Sequence, residues 1–259
     1  MALHKLILRL DFEPNFEIVD STGKILRLLH DRGEGKHWPD LGEVPEKHQV
    51  TGKNFSKDEG WLASISIDPV AISGYLESLE GIPLEKIGDS PPVQRLFKIV
   101  NLIRQKFSIS NFKRTGLRFF LFEEITDMKN DTVREVFLTF FKKEMVKALH
   151  DSLGFITDCG MAFDGANDDG IQYHLKCGPY KKGEIERYLQ ELHSFCKNND
   201  IFPYKPDSNT GLIIDIDFFE MDHQLHETVG FAKWCMPLIE RAINMREALS
   251  EHILSCKRE

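Results

Sequence analysis

The amino-acid sequence predicts an α+β fold of two similar halves, each a mainly antiparallel sheet packed by helices, with a long C-terminal helical region. Segments in which apolar and polar residues alternate recur in both halves, as half-buried antiparallel strands require. Segments with a helical apolar period of 3.6 residues lie between them. Of the 259 residues, 41% are hydrophobic and 29% are charged, which suffices for two cores of ordinary size. We expect an N-terminal half over residues 1–150 and a C-terminal half over residues 151–259.

The N-terminal half opens with a clear strand and then becomes polar. Residues 5–12 alternate between apolar and charged side chains, which predicts a strand. Residues 16–19 are expected to form a second short strand, followed by a turn at residues 21–23. Residues 31–60 are polar throughout, and we expect a long loop there. Such a loop is either functional or a mobile hairpin insertion.

Regular structure is expected to resume at Trp61. Residues 61–68 alternate as a strand does, and Asp68-Pro69 then predicts a helix reaching about Leu79, because proline is tolerated in a first helical turn. After Pro91-Pro92, the apolar spacing over residues 93–107 predicts a stronger helix.

The rest of the chain follows the same logic. The predicted strands are residues 115–122, 155–163, 171–177 and 211–219, with a turn at 164–170. The predicted helices are residues 131–150, 183–197 and 225–256, and Pro237 is expected to start, kink or split the last of them. Residues 136–141 are aromatic enough to form a strand instead.

Two fragments recur in the same order and suggest a pseudo-repeat. Residues 65–69, leading into a predicted helix, parallel residues 175–179. Residues 115–122 parallel residues 210–217, since both begin with Thr-Gly-Leu. Internal duplication and chance recurrence both remain open. If the duplication is real, the junction between the halves is a natural ligand or partner site.

A resemblance rests on three stretches. These are the early strand Leu8-Arg-Leu-Asp-Phe-Glu-Pro14, the central Thr115-Gly-Leu-Arg-Phe-Phe120, and the late Leu212-Ile-Ile-Asp-Ile-Asp-Phe218 followed by a long closing helix. In these the chain resembles a sporadically distributed family of uncharacterised bacterial proteins of about this size, over nearly its whole length. The resemblance implies no catalytic residues.

The cysteines and the N-terminus bear on the compartment. The five cysteines are odd in number, form no Cys-x-x-Cys pair and all lie in the C-terminal half: Cys159, Cys177, Cys196, Cys235 and Cys256. We expect them to be reduced and to act as small hydrophobic residues. The N-terminus has no signal-peptide pattern, and no apolar run approaches the roughly 20 residues of a membrane span. We therefore expect a cytoplasmic protein that does not contact a membrane.

The net charge of −8 argues against a whole-domain interaction with nucleic acid, because phosphate binding needs clustered positive potential. A local basic patch stays open, and its candidates are Lys113, Arg114 and Arg118. Acidic neighbours dilute its field, so an ordinary solvated surface is the simpler interpretation.

The sharpest candidate for chemistry is an acidic pair. Asp215 and Asp217 are two positions apart in a predicted strand and so share a face. The residues that can join them from the same half are Gln172, His174, Lys176 and Asp158. Paired carboxylates with a nearby Lys and His can hold Mg²⁺ and position a water, as phosphodiester hydrolases require. The simpler interpretation is the solvated face of an antiparallel sheet.

Other motifs are weaker. His223 and His226 have His-x-x-His spacing without an evident third ligand. The Asp164-rich turn lacks the ligand order of a calcium loop. The sequence contains no Walker A motif, no Gly-x-Gly-x-x-Gly and no Gly-x-Ser-x-Gly.

The absence of a motif and the family resemblance together predict a non-enzymatic binding, sensor or accessory subunit without a cofactor. We expect it to act through protein–protein contacts, with a protein partner or as a homo-oligomer, within a bacterial operon such as a defence system. The alternative is a metal-dependent phosphodiester hydrolase that uses Asp215, Asp217, His174 and Lys176.

Overall fold

In the part of the chain that the structure describes, nine strands form one antiparallel sheet. The computed structural model describes residues 2–31, 38–124, 141, 143–154, 158–180, 183–199, 201, 211–225 and 230–256. The strands are β1 (Ala2–Asp11), β2 (Asp40–Val44), β3 (Gln49–Ser56), β4 (Trp61–Asp68), β5 (Ala71–Pro83), β6 (Asn111–Glu124), β7 (Met161–Ala166), β8 (Gln172–Tyr180) and β9 (Gly211–Gln224). The helices are α1 (Phe16–Val19), α2 (Thr22–His30), α3 (Pro91–Lys106), α4 (Lys143–Leu153), α5 (Ile185–Tyr188), α6 (Gln190–Asn198) and α7 (Phe231–Cys256). An α+β fold is confirmed.

The strand order is β2-β3-β4-β5-β1-β6-β9-β8-β7. Strands from the first 124 residues thus form one side of the sheet, and the later strands extend it through the pairing of β6 with β9. In that pair, Arg118 lies opposite Asp217 and Phe120 lies opposite Asp215. The domain boundary expected near residue 150 stays a prediction.

One face of the sheet is apolar and carries helices α3 and α7. Alternate positions of the central strands are fully buried there, among them Leu8, Phe119 and Ile214. The two helices meet over them, with the rings of Phe97 and Phe231 5.6 Å apart in an edge-on arrangement. This alternation is the period of two that predicted the strands.

The opposite face is polar, except where α5 and α6 lie on it. Leu192 and Cys196 of α6 form a buried cluster with Leu62 of β4. Tyr188 of α5 packs against Phe120 and Phe122 of β6. Helices α5 and α6, which lie between β8 and β9 in the chain, therefore cover parts of β4 and β6.

The helix predicted over residues 68–79 is wrong, because this segment forms the end of β4 and most of β5. Oδ1 of Asp68 accepts the N–H groups of Val70 and Ala71 at 2.9 and 2.8 Å, which closes a tight turn instead of a helical one. The parallel drawn between residues 65–69 and 175–179 fails in this respect, since residues 65–69 lead into β5 whereas residues 175–179 precede α5.

Two further predictions in the N-terminal half are wrong. Residues 16–19 form α1, not a strand, because Oδ1 of Asn15 accepts the N–H of Glu17 and caps the helix. The long loop predicted over residues 31–60 contains β2 and β3. β2 is the edge strand and β3 lies next to it, and both bury few apolar side chains, so their sequence resembles a loop.

The strands and helices predicted near β1, β4, α3, β6, β8 and β9 are confirmed with shifts at their ends. The helix expected over residues 183–197 is divided into α5 and α6, and residues 164–166, expected in a turn, belong to β7. Residues 131–140 and 155–157 lie outside the described part of the chain. Among the described residues, no helix is both long and apolar enough to cross a membrane.

Candidate functional site

A cleft on the polar face, next to α5, gathers charged side chains from four neighbouring strands. We call it the charged cleft; it has a volume of about 330 Å³ and is lined by Arg118, Asp164, His174, Lys176, Asp215 and Asp217. The register of the strand pairs brings these side chains together. Asp215 lies opposite Lys176 of β8, and Asp217 lies opposite both Arg118 of β6 and His174 of β8.

Arg118 and Asp215 form a two-pronged ion pair. Nε and Nη2 of Arg118 donate to the two carboxylate oxygens of Asp215 at 2.6 and 2.5 Å. The guanidinium lies 4.7 Å from the ring centre of Phe120, which supports it from below. Hydrogen bonding to Asp215 raises the pKa of Arg118, so this side chain remains charged.

A second ion pair joins Arg114 and Asp217, whose nearest N···O distance is 2.7 Å. The Arg114 guanidinium lies 5.0 Å from the ring centre of Phe219. A Cβ atom added to Gly116 would lie 3.5 Å from Cζ of Arg114 and 3.7 Å from Oδ1 of Asp217. An alanine at this position would therefore touch both partners of the ion pair at ordinary van der Waals distance.

His174 and Asp164 form the third pair, at the outer edge of the cleft. Nδ1 of His174 lies 2.5 Å from Oδ1 of Asp164, and the imidazole stacks on Phe219 with ring centres 5.0 Å apart. A carboxylate at Nδ1 favours the tautomer with the proton on Nδ1, so Nε2 is the nitrogen available to a ligand. The side chains of His174 and Asp164 are 51% and 77% exposed, so this pair is largely in water.

Lys176 differs from the other cations of the cleft. Its side chain is exposed, and it makes no ion pair or hydrogen bond with any residue that the structure describes. It faces Asp215 across the β8–β9 pair, but the oxygens of that carboxylate are bound by Arg118.

Tyr188 lies near the cleft, with its ring centre 5.6 Å from that of Phe120. Burial raises the pKa of its phenol, and the carboxylates of Glu184, Asp215 and Asp158 act in the same direction. Tyr188 therefore stays protonated at neutral pH and can donate a hydrogen bond. Asp158, which the sequence placed with the acidic pair, is thus close enough to Tyr188 to affect its phenol.

The structure brings together all four residues of the proposed hydrolytic site: Asp215, Asp217, His174 and Lys176. Sequence reasoning missed the roles of two arginines, because it grouped Arg114 and Arg118 with Lys113 as a nucleic-acid patch. In the structure the arginines bind the acidic pair, and Lys113 lies 3.1 Å from Glu13. The alternating side-chain directions along β6 and β9 would have predicted these arginine–aspartate pairs only if the two strands had been known to be neighbours.

The residues described do not assemble a metal centre, since no group of three or more His, Cys, Asp or Glu side chains among them is arranged to hold an ion. His223 forms an ion pair with Glu220, and its ring meets that of Trp234 edge-on at 5.8 Å. Its expected partner, His226, lies outside the described residues.

Comparisons with known proteins add no name to this geometry. Neither protein-family models, nor curated proteins, nor solved structures gave a match. Function has therefore to be inferred from the charged cleft itself.

Proposed function

We propose that this protein is a non-enzymatic binding, sensor or accessory subunit that acts through protein–protein contacts, with the charged cleft as part of its contact surface. One observation supports this proposal above others. Both carboxylates of the acidic pair are neutralised by arginines, while Lys176 is exposed and unpaired among the described residues.

This arrangement suits recognition better than catalysis. Carboxylates that hold guanidinium groups in place fix those groups before a partner arrives, which lowers the entropic cost of binding. Arginines that lie over aromatic rings are also typical of residues that dominate interface affinity. Arg114 over Phe219 and Arg118 over Phe120 meet this description.

Charge reversal at the cleft tests the proposal. We expect Lys176→Glu to abolish recovery of a protein partner that the wild-type chain retains from extracts of its source cells. Lys47→Glu is the matched control, because Lys47 is exposed and lies between β2 and β3 at the other end of the sheet. The partner should then form a complex with the purified wild-type chain, measured by light scattering.

One result contradicts the proposal, and another identifies the partner. Identical partners for the wild type and Lys176→Glu mean that the cleft is not the contact surface. Self-association that is lost only in Lys176→Glu means that the partner is a second copy of the chain, which is the homo-oligomer form of the same proposal.

A metal-dependent phosphodiester hydrolase is the second candidate, and one observation favours it: Asp215, Asp217, His174 and Lys176 line a single cleft. An ion bound by Asp215 would have to displace Arg118, which holds both of its oxygens. Calorimetric titration with Mg²⁺ and Mn²⁺ tests this. Heat of binding that disappears in Asp215→Ala with Asp217→Ala supports the hydrolase, and its absence in the wild type ends the idea.

Three further proposals keep their sequence-based support. A bacterial operon such as a defence system follows from the family resemblance. The proposal that the two halves are related is supported by the shared Thr-Gly-Leu, which precedes aromatic positions in β6 and acidic positions in β9. Nucleic-acid binding through Lys113, Arg114 and Arg118 predicts steep salt dependence, although each of these side chains is paired with a carboxylate.

A further inference from the structure

We infer that the charged cleft takes a carboxylate side chain of the partner, so the partner segment is an acidic peptide. The inference rests on the proposed function, because it names the chemistry of the partner at the same surface. It follows from the hydrogen-bonding groups that remain unused in the cleft.

Hydrogen-bond donors are left over. The ammonium of Lys176 has three N–H groups and makes no bond to a described residue. Arg118 uses Nε and Nη2 on Asp215, which leaves Nη1 free of partners among the described residues. Arg114 likewise binds Asp217 through Nη2 alone.

Each carboxylate of the cleft already has a partner. Both oxygens of Asp215 hold Arg118, Oδ2 of Asp217 holds Arg114, and Oδ1 of Asp164 holds His174. Oδ1 of Asp217 and Oδ2 of Asp164 still accept no bond from a described residue, so free acceptors remain beside the free donors. Among the described residues that line the cleft, Lys176 is the cation without a carboxylate partner, so a carboxylate from the ligand would complete its pairing.

The donors also surround one position. Arg118 is on β6 and Lys176 is on β8, and these strands flank β9 on either side. The flanking strands are about 10 Å apart, or two strand spacings, so long side chains from both can converge on a group held above Asp215. A carboxylate there would accept from Nζ of Lys176 and Nη1 of Arg118 together, with charge-assisted hydrogen bonds on both oxygens.

The dimensions fit a side chain and not a large ligand. A cleft of about 330 Å³ is at the lower end of ligand sites. The cleft residues His174 and Asp164 are more than half exposed, so the site opens broadly to water. An aspartate or glutamate carried by a longer peptide can enter such a site while the flanking residues lie on the polar sheet face.

Three probes test the inference with the full chain: a hexaglutamate peptide blocked at both ends, a blocked hexalysine peptide, and inorganic phosphate. Binding is measured by calorimetry at low and at moderate salt. We expect the glutamate peptide to bind and the lysine peptide not to bind. Lys176→Gln should weaken glutamate binding at least about tenfold, the size of one charge-assisted hydrogen bond, whereas Lys47→Gln should leave it unchanged.

Lys176→Arg provides a further check, since it restores the charge and should recover most of the affinity. Because Lys176 is exposed, these variants should fold, which a thermal melt verifies. No glutamate binding by the folded wild type, equal binding by Lys176→Gln, or phosphate bound more tightly than the peptide would overturn the inference.

These outcomes separate the inference from the proposed function. If Lys176→Glu loses the cellular partner but the glutamate peptide never binds, the contact surface stands and the acidic ligand is wrong. If the peptide binds through Lys176 but the same partners are recovered with Lys176→Glu, the acidic site stands and the proposed contact surface is wrong.

Discussion

Oε2 of Glu77 accepts the backbone N–H of Leu192 at 2.7 Å, although the two residues are 115 positions apart in the chain. The Glu77 side chain is fully buried, and Nζ of Lys5 lies 2.7 Å from its other oxygen, Oε1. The same Nζ donates to the carbonyl of Tyr188 at 2.8 Å. A buried carboxylate of β5, together with Lys5 of β1, thus attaches α5 and α6 to the first strands of the sheet.

This attachment predicts a specific pH dependence of stability. Burial raises the pKa of Glu77 above its ordinary value of 4.5, and the hydrogen bond and charge of Lys5 reduce the effect without cancelling it. The folded state therefore holds the proton more tightly than the unfolded state. The stabilising contribution is fully present below pH 4.5 and is lost as pH rises through the raised pKa.

Glu77→Gln should remove that loss. We expect its free energy of unfolding to increase relative to that of the wild type as the pH is raised from about 4 to 8, measured by urea denaturation. Glu80→Gln is the matched control, because Glu80 is an exposed residue of the same strand. Parallel pH profiles for wild type and Glu77→Gln would show that the Glu77 carboxyl does not titrate differently in the folded chain.

The sequence alone was sufficient to predict that Asp215 and Asp217 share a face, because a strand places every second side chain on one side. It was not sufficient to predict which residues pair with them. Arg118 precedes Asp215 by 97 positions, and nothing local to either residue specifies that β6 and β9 are neighbours. The error over residues 68–79 has the opposite origin: Asp68-Pro69 fits a helix start and a tight turn equally well, and only the packing of β5 decides between them.

The Arg118–Asp215 pair should be coupled energetically. Its side chains are 38% and 14% exposed, and both prongs of the guanidinium are bonded. A double-mutant cycle with Arg118→Ala and Asp215→Ala should give a coupling free energy of about 1 kcal/mol in urea denaturation, the upper end for pairs that water still reaches.

The matched control for this cycle is Lys113 with Glu13. These side chains are 54% and 78% exposed and 3.1 Å apart, so their coupling should be close to zero. A coupling for Arg118 and Asp215 no larger than the control value would mean that solvent screens the cleft pair as completely as a surface pair.

The thiol of Cys177 should resist alkylation in the folded chain. Burial raises its pKa to about 12, with a smaller contribution from Cys159. At pH 8 the reactive thiolate is then about one part in ten thousand, against roughly a quarter for an ordinary cysteine. Iodoacetamide labelling followed by peptide mass spectrometry should show at least about a hundredfold slower reaction at Cys177 in the folded chain than in urea. Equal rates in the two conditions would contradict its burial in β8.

The contact between Gly74 and Leu96 allows a test of how α3 sits on the sheet. A Cβ atom added to Gly74 of β5 would lie 2.5 Å from Cδ1 and 3.3 Å from Cδ2 of Leu96, a fully buried side chain of α3. Gly74→Ala should therefore cost about 1–3 kcal/mol through overpacking. Leu96→Ala should cost about 2–5 kcal/mol, because it leaves a cavity. In the double variant the added methyl group occupies part of that cavity, so the total cost should be clearly less than the sum of the two single costs, as urea denaturation can measure.

Gly23→Ala is the control, since nothing lies within 4 Å of its added Cβ in helix α2, and there the change should stabilise the chain by about 0.5–1 kcal/mol. Additive costs for Gly74→Ala and Leu96→Ala would mean that α3 shifts on the sheet to relieve the contact, so that the two side chains do not share one space.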